Sequence, residues 1–440
     1  MKKLITITLI FLSLICQSQV LDLKTYKKIS KDYYFIGTTL YTRNSILAKN
    51  VSKIVGATKT VWMGGRGKIF VISGTVPCTL SGMEITTDSG GVAICGILIS
   101  DSSTVTIENC NIHDVQWGIR AFQGFNSKII VRYTKIYNTE DDGIFAQNTN
   151  DWDISYCHIY NVNKNYFTMR PGGGDCIQIA FRQGNIVIHH SILDHSSTGY
   201  KFCLITGSTD IIGGSLDLHD CILIGRSNAD RLAEDPRTHK VMGNSCAYFK
   251  PLLNYKIYNV AFINGSNAFF EQGSNPCNLE AYNNYFQGQT EALVLVNLWN
   301  NTIYNNTFTQ GITRYFKGSA KGDDIHNNYF SLDNFKENDI KSFFINQPKI
   351  FDYTLVPKKG YGCSENIIAR KSGSFESNPC TVTVYDTITT YKIVDVPTPR
   401  YYDVPRDVIR YKDYYKLPFS IDSVMNKLIN EHENQKIIIN

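Results

Sequence analysis

Residues 107–114 read IENCNIHD, 131–138 read VRYTKIYN and 154–161 read ISYCHIYN. The same eight-residue pattern returns as IHHSILDH at 188–195, LHDCILIG at 218–225, IYNVAFIN at 257–264, AYNNYFQG at 281–288, IYNNTFTQ at 303–310 and IHNNYFSL at 325–332, with LSGMEITT at 80–87 as a fainter copy. Inside each unit apolar and polar residues alternate with period two, Gly, Asn or Asp bounds it, and no helical period runs through it. The fourth positions, Cys110, Thr134, Cys157, Ser191, Cys221, Val260, Asn284, Asn306 and Asn328, are spaced by 24, 23, 34, 30, 39, 24, 22 and 22 residues. Short strands repeating every 22 to 24 residues predict a right-handed parallel β-helix with three sheets, in which like positions stack about 4.8 Å apart. Asn283, Asn305 and Asn327, and beside them Asn284, Asn306 and Asn328, then form ladders that hydrogen-bond within tight turns.

Outward from this repeat the chain divides further. The fold class expected is all-β, a solenoid of about ten coils over residues 76–350, followed by an extended segment at 351–419 and a short amphipathic helix at 420–440. Residues 1–18 carry Lys2 and Lys3 ahead of an apolar run and small residues at Cys16 and Ser18, the layout of a cleaved secretory signal, so export to the periplasm, cell surface or medium is expected. That run is shorter than the roughly 20 residues of a spanning helix, and no stable membrane span is expected elsewhere. Residues 19–75, with a helix-compatible piece at 22–31, would cap the first coil. The Tyr-, Val-, Asp- and Pro-rich tail after residue 381 has no coil register and suggests attachment or self-association.

A net charge of +5 spread over 440 residues, with no Lys/Arg run, argues against a nucleic-acid partner and is compatible with an acidic polymer. Most of the twelve cysteines fall inside apolar strand patterns and are expected to be buried thiols. Cys363 with Cys380, and next Cys78 with Cys95, are the disulfide candidates.

The three longest repeats are consecutive and span residues 157–260, so insertions there are expected to build a binding face. A second strand run follows each unit: WGIRAF from Trp117, DGIFA from Asp142, DCIQIA from Asp175 and KFCLIT from Lys201. Aligned on their first letters, these runs place Asp142, Asp175 and Lys201 in one column. Asp142 and Asp175, with Asp141 or Glu140, offer hard oxygen ligands for Ca²⁺, while Lys201 and loop arginines offer contacts to a carboxylated sugar. The bland alternative is that the aspartates begin strands at tight turns. His189, His190 and His195 are expected to be strand residues rather than ligands, because no third ligand follows at regular spacing.

The segment NIVIHHSILDHSSTGYKFCLITGSTD resembles the strand, Asp-His, lysine and Leu-Ile-Gly-Ser-x-Asp segment of family 1 polysaccharide lyases, in the pectate lyase superfamily of right-handed β-helices. The resemblance implies calcium-assisted β-elimination on a uronic-acid polysaccharide such as pectate. Carried over, it assigns metal binding to Asp142, Asp175 and Asp141, catalysis to Lys201 and to Arg231 as base, and substrate contact to Arg237, His195 and Asp194. The RLAEDPR segment at 231–237 is two residues longer than the family's Arg-x-Pro-x-x-Arg pattern, and Gln178 stands near the position of a second acid. NTEDDGIFAQ and GDCIQI resemble, more weakly, segments of the polygalacturonases, whose inverting hydrolysis uses two carboxyl groups about 6.5–9.5 Å apart. A third expectation is a secreted or virion-type β-helix that binds glycan without cleaving it.

Overall fold

The computed structural model describes residues 20–330 except 25–32, 89–92, 101–103, 123–126, 148–149, 164–173, 181–183, 197–201, 208–212, 227–244, 272–275, 296–298, 309–311, 313, 318–322 and 327. Its strands wind into a right-handed parallel β-helix. Every third strand pairs with its predecessor, giving sheet A of 12 strands, sheet B of 13 and sheet C of 11, and each coil runs C, A, B. Among the described residues there is no helix. Among the described strands one pair is antiparallel, Tyr33–Ile36 with Thr39–Thr42, on the open edge of sheet B.

The eight-residue units are the corners between sheets A and B. In IENCNIHD, Val105–Glu108 ends in sheet A, Asn109 turns the chain, and Asn111–His113 begins sheet B. The turning residue is left-handed at eight successive described corners: Asn109, Tyr133, Tyr156, His190, Asp220, Asn259, Asn283 and Asn305 have φ between 50° and 55°. Asn and Asp tolerate this region because their short polar side chains bond locally; Tyr does not gain that way. At Tyr133, Tyr156 and His190 stacked rings offset the strain, with centroids 4.9 and 5.0 Å apart.

The next position points inward and ties coil to coil. Val260 N–H donates to Asn284 Oδ1 (3.0 Å), Asn284 N–H to Asn306 Oδ1 (2.9 Å) and Asn306 N–H to Asn328 Oδ1 (2.9 Å). Each amide nitrogen returns a bond to a carbonyl, as Asn306 Nδ2 does to Ala281 (2.9 Å). The expected Asn ladder is therefore an inter-coil brace, satisfying buried backbone groups that an apolar residue would strand. Ser191 does the same for Cys157 N–H at 3.1 Å.

Between the sheets runs a continuous apolar core. Sheet B contributes Ile112, Ile136, Ile159, Leu193 and Leu223 to it, then Phe262, Phe286 and Phe308, all fully buried. These phenylalanines stack with centroids 5.1 and 4.5 Å apart. Sheet C approaches this core so closely that glycine is required: a Cβ on Gly143 would lie 2.6 Å from both the Cys176 carbonyl oxygen and Ile159 Cγ2.

Two sequence expectations change. Ile46–Lys49, Lys53–Val55 and Lys59–Trp62 are members of sheets C, A and B, so coils begin within the stretch read as a cap. Cys78 and Cys95 are free, buried thiols rather than a disulfide, like Cys110, Cys157, Cys176, Cys203, Cys221, Cys246 and Cys277. Burial pushes the Cys78 thiol up to about 11 and that of Cys95 to about 12, leaving both protonated at neutral pH. The signal segment, the piece at 25–31, the Cys363–Cys380 pair, the tail and the helix at 420–440 lie outside the described residues.

Candidate functional site

The enlarged coils open at one place. Their long segments join sheet B to sheet C, between Tyr160 and Ile177, Asp194 and Leu204, and Ile224 and Ala247. The B-to-C corner of sheet C is therefore where the candidate aspartates sit.

Ile144 pairs with Ile177 and Ile177 with Leu204. Asp142 and Asp175 share a column, as expected, but the third member is Phe202, one residue beyond Lys201. Letter-by-letter alignment missed this because the last run carries one more residue before its first inward apolar position. Asp175 N–H donates to Asp142 Oδ1 (2.7 Å), and Phe202 N–H donates to Asp175 Oδ1 (2.8 Å). Each carboxylate thus caps the backbone of the following coil. Asp142 is 3 % exposed and Asp175 is fully buried. Burial raises the Asp142 carboxyl well above its ordinary range, and the charges of Asp175 and Asp141 push the same way, against hydrogen bonds from the Asp175 backbone and the Trp117 indole.

Calcium takes six to eight oxygen ligands at about 2.3–2.6 Å. Among the described residues, the one group of three His, Cys, Asp or Glu donors close enough to share an ion is His190, His219 and Asp220. Asp141, Asp142 and Asp175 do not converge in that way, and two of them hold backbone N–H groups. The observed geometry gives these carboxylates a structural task.

Asp194 and His195 are also turned to local use. Asp194 Oδ1 accepts the Ser196 N–H (2.9 Å) and is bonded by the Ser196 hydroxyl. The His195 ring is fully buried and its Nε2 bonds the Gly174 carbonyl at 2.6 Å, bracing the residue before Asp175. Burial lowers the His195 pKa, so the ring that donates this bond is neutral. Lys201, Arg231 and Arg237 lie outside the described residues.

A group that the sequence reading passed over stands on the outer face of sheet C. Arg120 follows Trp117 in WGIRAF, and its guanidinium lies 4.1 Å from the Trp117 ring centroid, 4.1 Å from that of Phe122 and 5.3 Å from that of Phe145. Arg120 and Phe122 are two apart in one strand and share its outward side, which was the legible signal. Desolvation lowers the Arg120 pKa, while the nearby carboxyl groups of Asp141 and Asp142 raise it. Arginine's intrinsic basicity keeps it cationic. Trp117 joins the two parts: its ring supports Arg120 and its indole bonds Asp142.

Arg120 belongs to a long outward row. Strand register aligns Leu98, Arg120, Phe145, Gln178, Ile205, Tyr248, Phe270, Val294 and Lys317. Phe202 stacks on Tyr248 at 5.0 Å, and Tyr248 packs beside Phe270 at 5.5 Å. At a spacing of about 4.8 Å, such a sheet is roughly 50 Å long.

Residues 44–215 match the family model for a right handed beta helix region. That match agrees with the three parallel sheets. No curated protein and no solved structure matches the chain. No helix among the described residues is long and apolar enough to cross a membrane.

Proposed function

We propose that this β-helix binds an acidic polysaccharide along the outer face of sheet C, with Arg120 as the cation that receives a sugar carboxylate. One observation carries the reading: the Arg120 guanidinium is held by three aromatic rings on an outward row whose other members, apart from Gln178 and the terminal Lys317, are apolar or aromatic. Rings fix the guanidinium plane in advance, so less freedom is lost when it forms paired hydrogen bonds to a carboxylate. The neighbouring rings offer flat apolar surface for the sugar, and a periodic face suits a periodic polymer.

Cleavage is the finer question. The resemblance assigns β-elimination to Lys201 and Arg231, which lie on segments joining sheet B to sheet C, next in sequence to this face. Affinity electrophoresis of the full chain through gels containing polygalacturonate, with a neutral glucan as control, tests the binding reading. Retardation by the acidic polymer alone is expected, and equal migration in both gels would sink the proposal. Ultraviolet absorbance of an unsaturated product, followed with and without chelator, then separates a calcium-assisted lyase from a binding protein. Reducing ends without that absorbance would point to hydrolysis.

A further inference from the structure

A second cluster lies at the corner between sheets A and B, away from the outer face of sheet C. Two consecutive coils carry His189–His190 and His219–Asp220. His189 pairs with His219 in sheet A, and their rings stack at 5.1 Å with 4° between planes. His190 and Asp220 fill the left-handed corner position on these coils, with φ of 50° and 52°. One ring nitrogen of His190, one of His219 and one carboxylate oxygen of Asp220 all lie within 4.8 Å of one another, and all three side chains are half-buried.

We propose that His190, His219 and Asp220 form a site for a zinc-class divalent transition cation. Two imidazoles and one carboxylate are the donor set such ions accept, at about 2.0–2.2 Å, with a fourth tetrahedral position left to water. One carboxylate is too few oxygens for calcium or magnesium. Two of the donor groups already meet, His219 Nδ1 lying 2.8 Å from Asp220 Oδ2, and an ion would take the place of the proton they share.

The surroundings already resemble the outer support of a metal site. His189 Nδ1 lies 2.9 Å from His190 Nδ1, and Asp153 Oδ1 lies 3.7 Å from His189 Nε2. Asn259 Nδ2 donates to Asp220 Oδ1 at 3.2 Å. Such contacts orient ligands and maintain their protonation. The following coil has Tyr258 and Asn259 where this one has His219 and Asp220, so the donors are confined to two adjacent coils.

The neighbouring coil also supplies substitutions compatible with the fold: His190→Asn, His219→Tyr and Asp220→Asn each install the residue found one or two coils later. Calorimetric titration of the untagged full chain with Zn²⁺ is expected to show one site, and each substitution should weaken it by about tenfold or more. Asp324→Asn, at the separate His326–Asp324 pair, should leave the affinity unchanged. Co²⁺ should give the intense visible bands of a tetrahedral ion in the parent chain and lose them in the three variants. No Zn²⁺ uptake by the parent, uptake unaffected by all three substitutions, or displacement by equimolar Ca²⁺ would each overturn the site. Circular dichroism identifies any variant that fails to fold, and the remaining two still decide.

Discussion

Sheets A and C, of 12 and 11 strands, share one strand spacing, yet their outer faces differ in kind. Along sheet A the outward row passes through Asp153, Val187, Asp217, Lys256, Glu280, Thr302 and Asp324. Along sheet C it passes through Leu98, Arg120, Phe145, Gln178, Ile205, Tyr248, Phe270 and Val294 and ends at Lys317. A sheet face left to water is expected to be polar, as sheet A is. A row of half-buried rings, Phe145, Tyr248 and Phe270, that also carries a fixed cation has the character of a contact face. The same coil geometry underlies both rows, so the difference lies in the side chains chosen for solvent and those chosen for a ligand.

The largest effect expected from this contrast is on binding. Arg120→Ala should weaken retention of the acidic polysaccharide by about ten- to a hundredfold, or roughly 1.4–2.7 kcal/mol, as for loss of a charge-assisted contact. Lys256→Ala, which removes a cation from sheet A, should change it less than about twofold. Affinity electrophoresis of both variants against the parent reads the difference. Equal losses would mean that net charge rather than the Arg120 clamp recruits the polymer.

A second contrast concerns carboxylates near the two faces. Burial, with the charges of Asp175 and Asp141, raises the Asp142 pKa above its ordinary 3.8. The folded chain therefore holds this proton more tightly than the unfolded chain, and the stability Asp142 contributes is fully present below about pH 4 and falls as pH rises toward the raised value. Asp153 behaves oppositely. The His189 ring 3.7 Å away lowers its pKa against burial, with Lys128 and Arg132 adding to the fall. Its contribution is present above the unfolded value near 4 and is lost as pH drops through the lowered one. Urea unfolding at pH 4 and pH 7 should show Asp142→Asn gaining on the parent as pH rises, and unfolding compared between acid conditions below pH 4 and pH 5 should show Asp153→Asn losing ground as pH rises. Parallel shifts in the two variants would remove the electrostatic difference between the faces.

The fold was legible because the corner chemistry repeats. A left-handed turn followed by an inward, mostly polar or small residue recurs at the corner of successive coils, as in Asn109-Cys110, Asp220-Cys221 and Asn283-Asn284, and such pairs mark the register however long the intervening loops are, although Tyr133, Tyr156, His190 and Val260 depart from the pattern. The location of the insertions was legible for the same reason. The site was less so. Asp142 and Asp175 were placed in one column correctly, but a sequence cannot show whether a carboxylate faces a ligand or caps the next coil's N–H. The one-residue offset between Lys201 and Phe202 arises because strand runs were matched by their polar first letters, whereas the core aligns Cys176 with Cys203. Arg120 was spelled out in WGIRAF, yet only the wound structure brings Phe145, from the following coil, against it. His190 and Asp220 were separated by an enlarged coil, so no regular ligand spacing existed to be seen.

The smallest predicted effect bears on the rings themselves. Sheet A also carries aromatic residues: His189, His219, Tyr258, Tyr282, Tyr304 and His326 stack in sequence with centroids 4.8 to 5.2 Å apart. Their faces cover one another and only edges meet water, so the stack presents no open ring surface to a sugar. Its contribution belongs to stability. Tyr282→Ser breaks the contacts with Tyr258 and Tyr304 and exposes both rings, which should cost about 1 kcal/mol in urea unfolding. Retention by the acidic polymer should not change. If Tyr282→Ser weakened retention as strongly as Arg120→Ala while stability stayed constant, the ligand would follow the stacked rings of sheet A, and the roles given to the two faces would be exchanged.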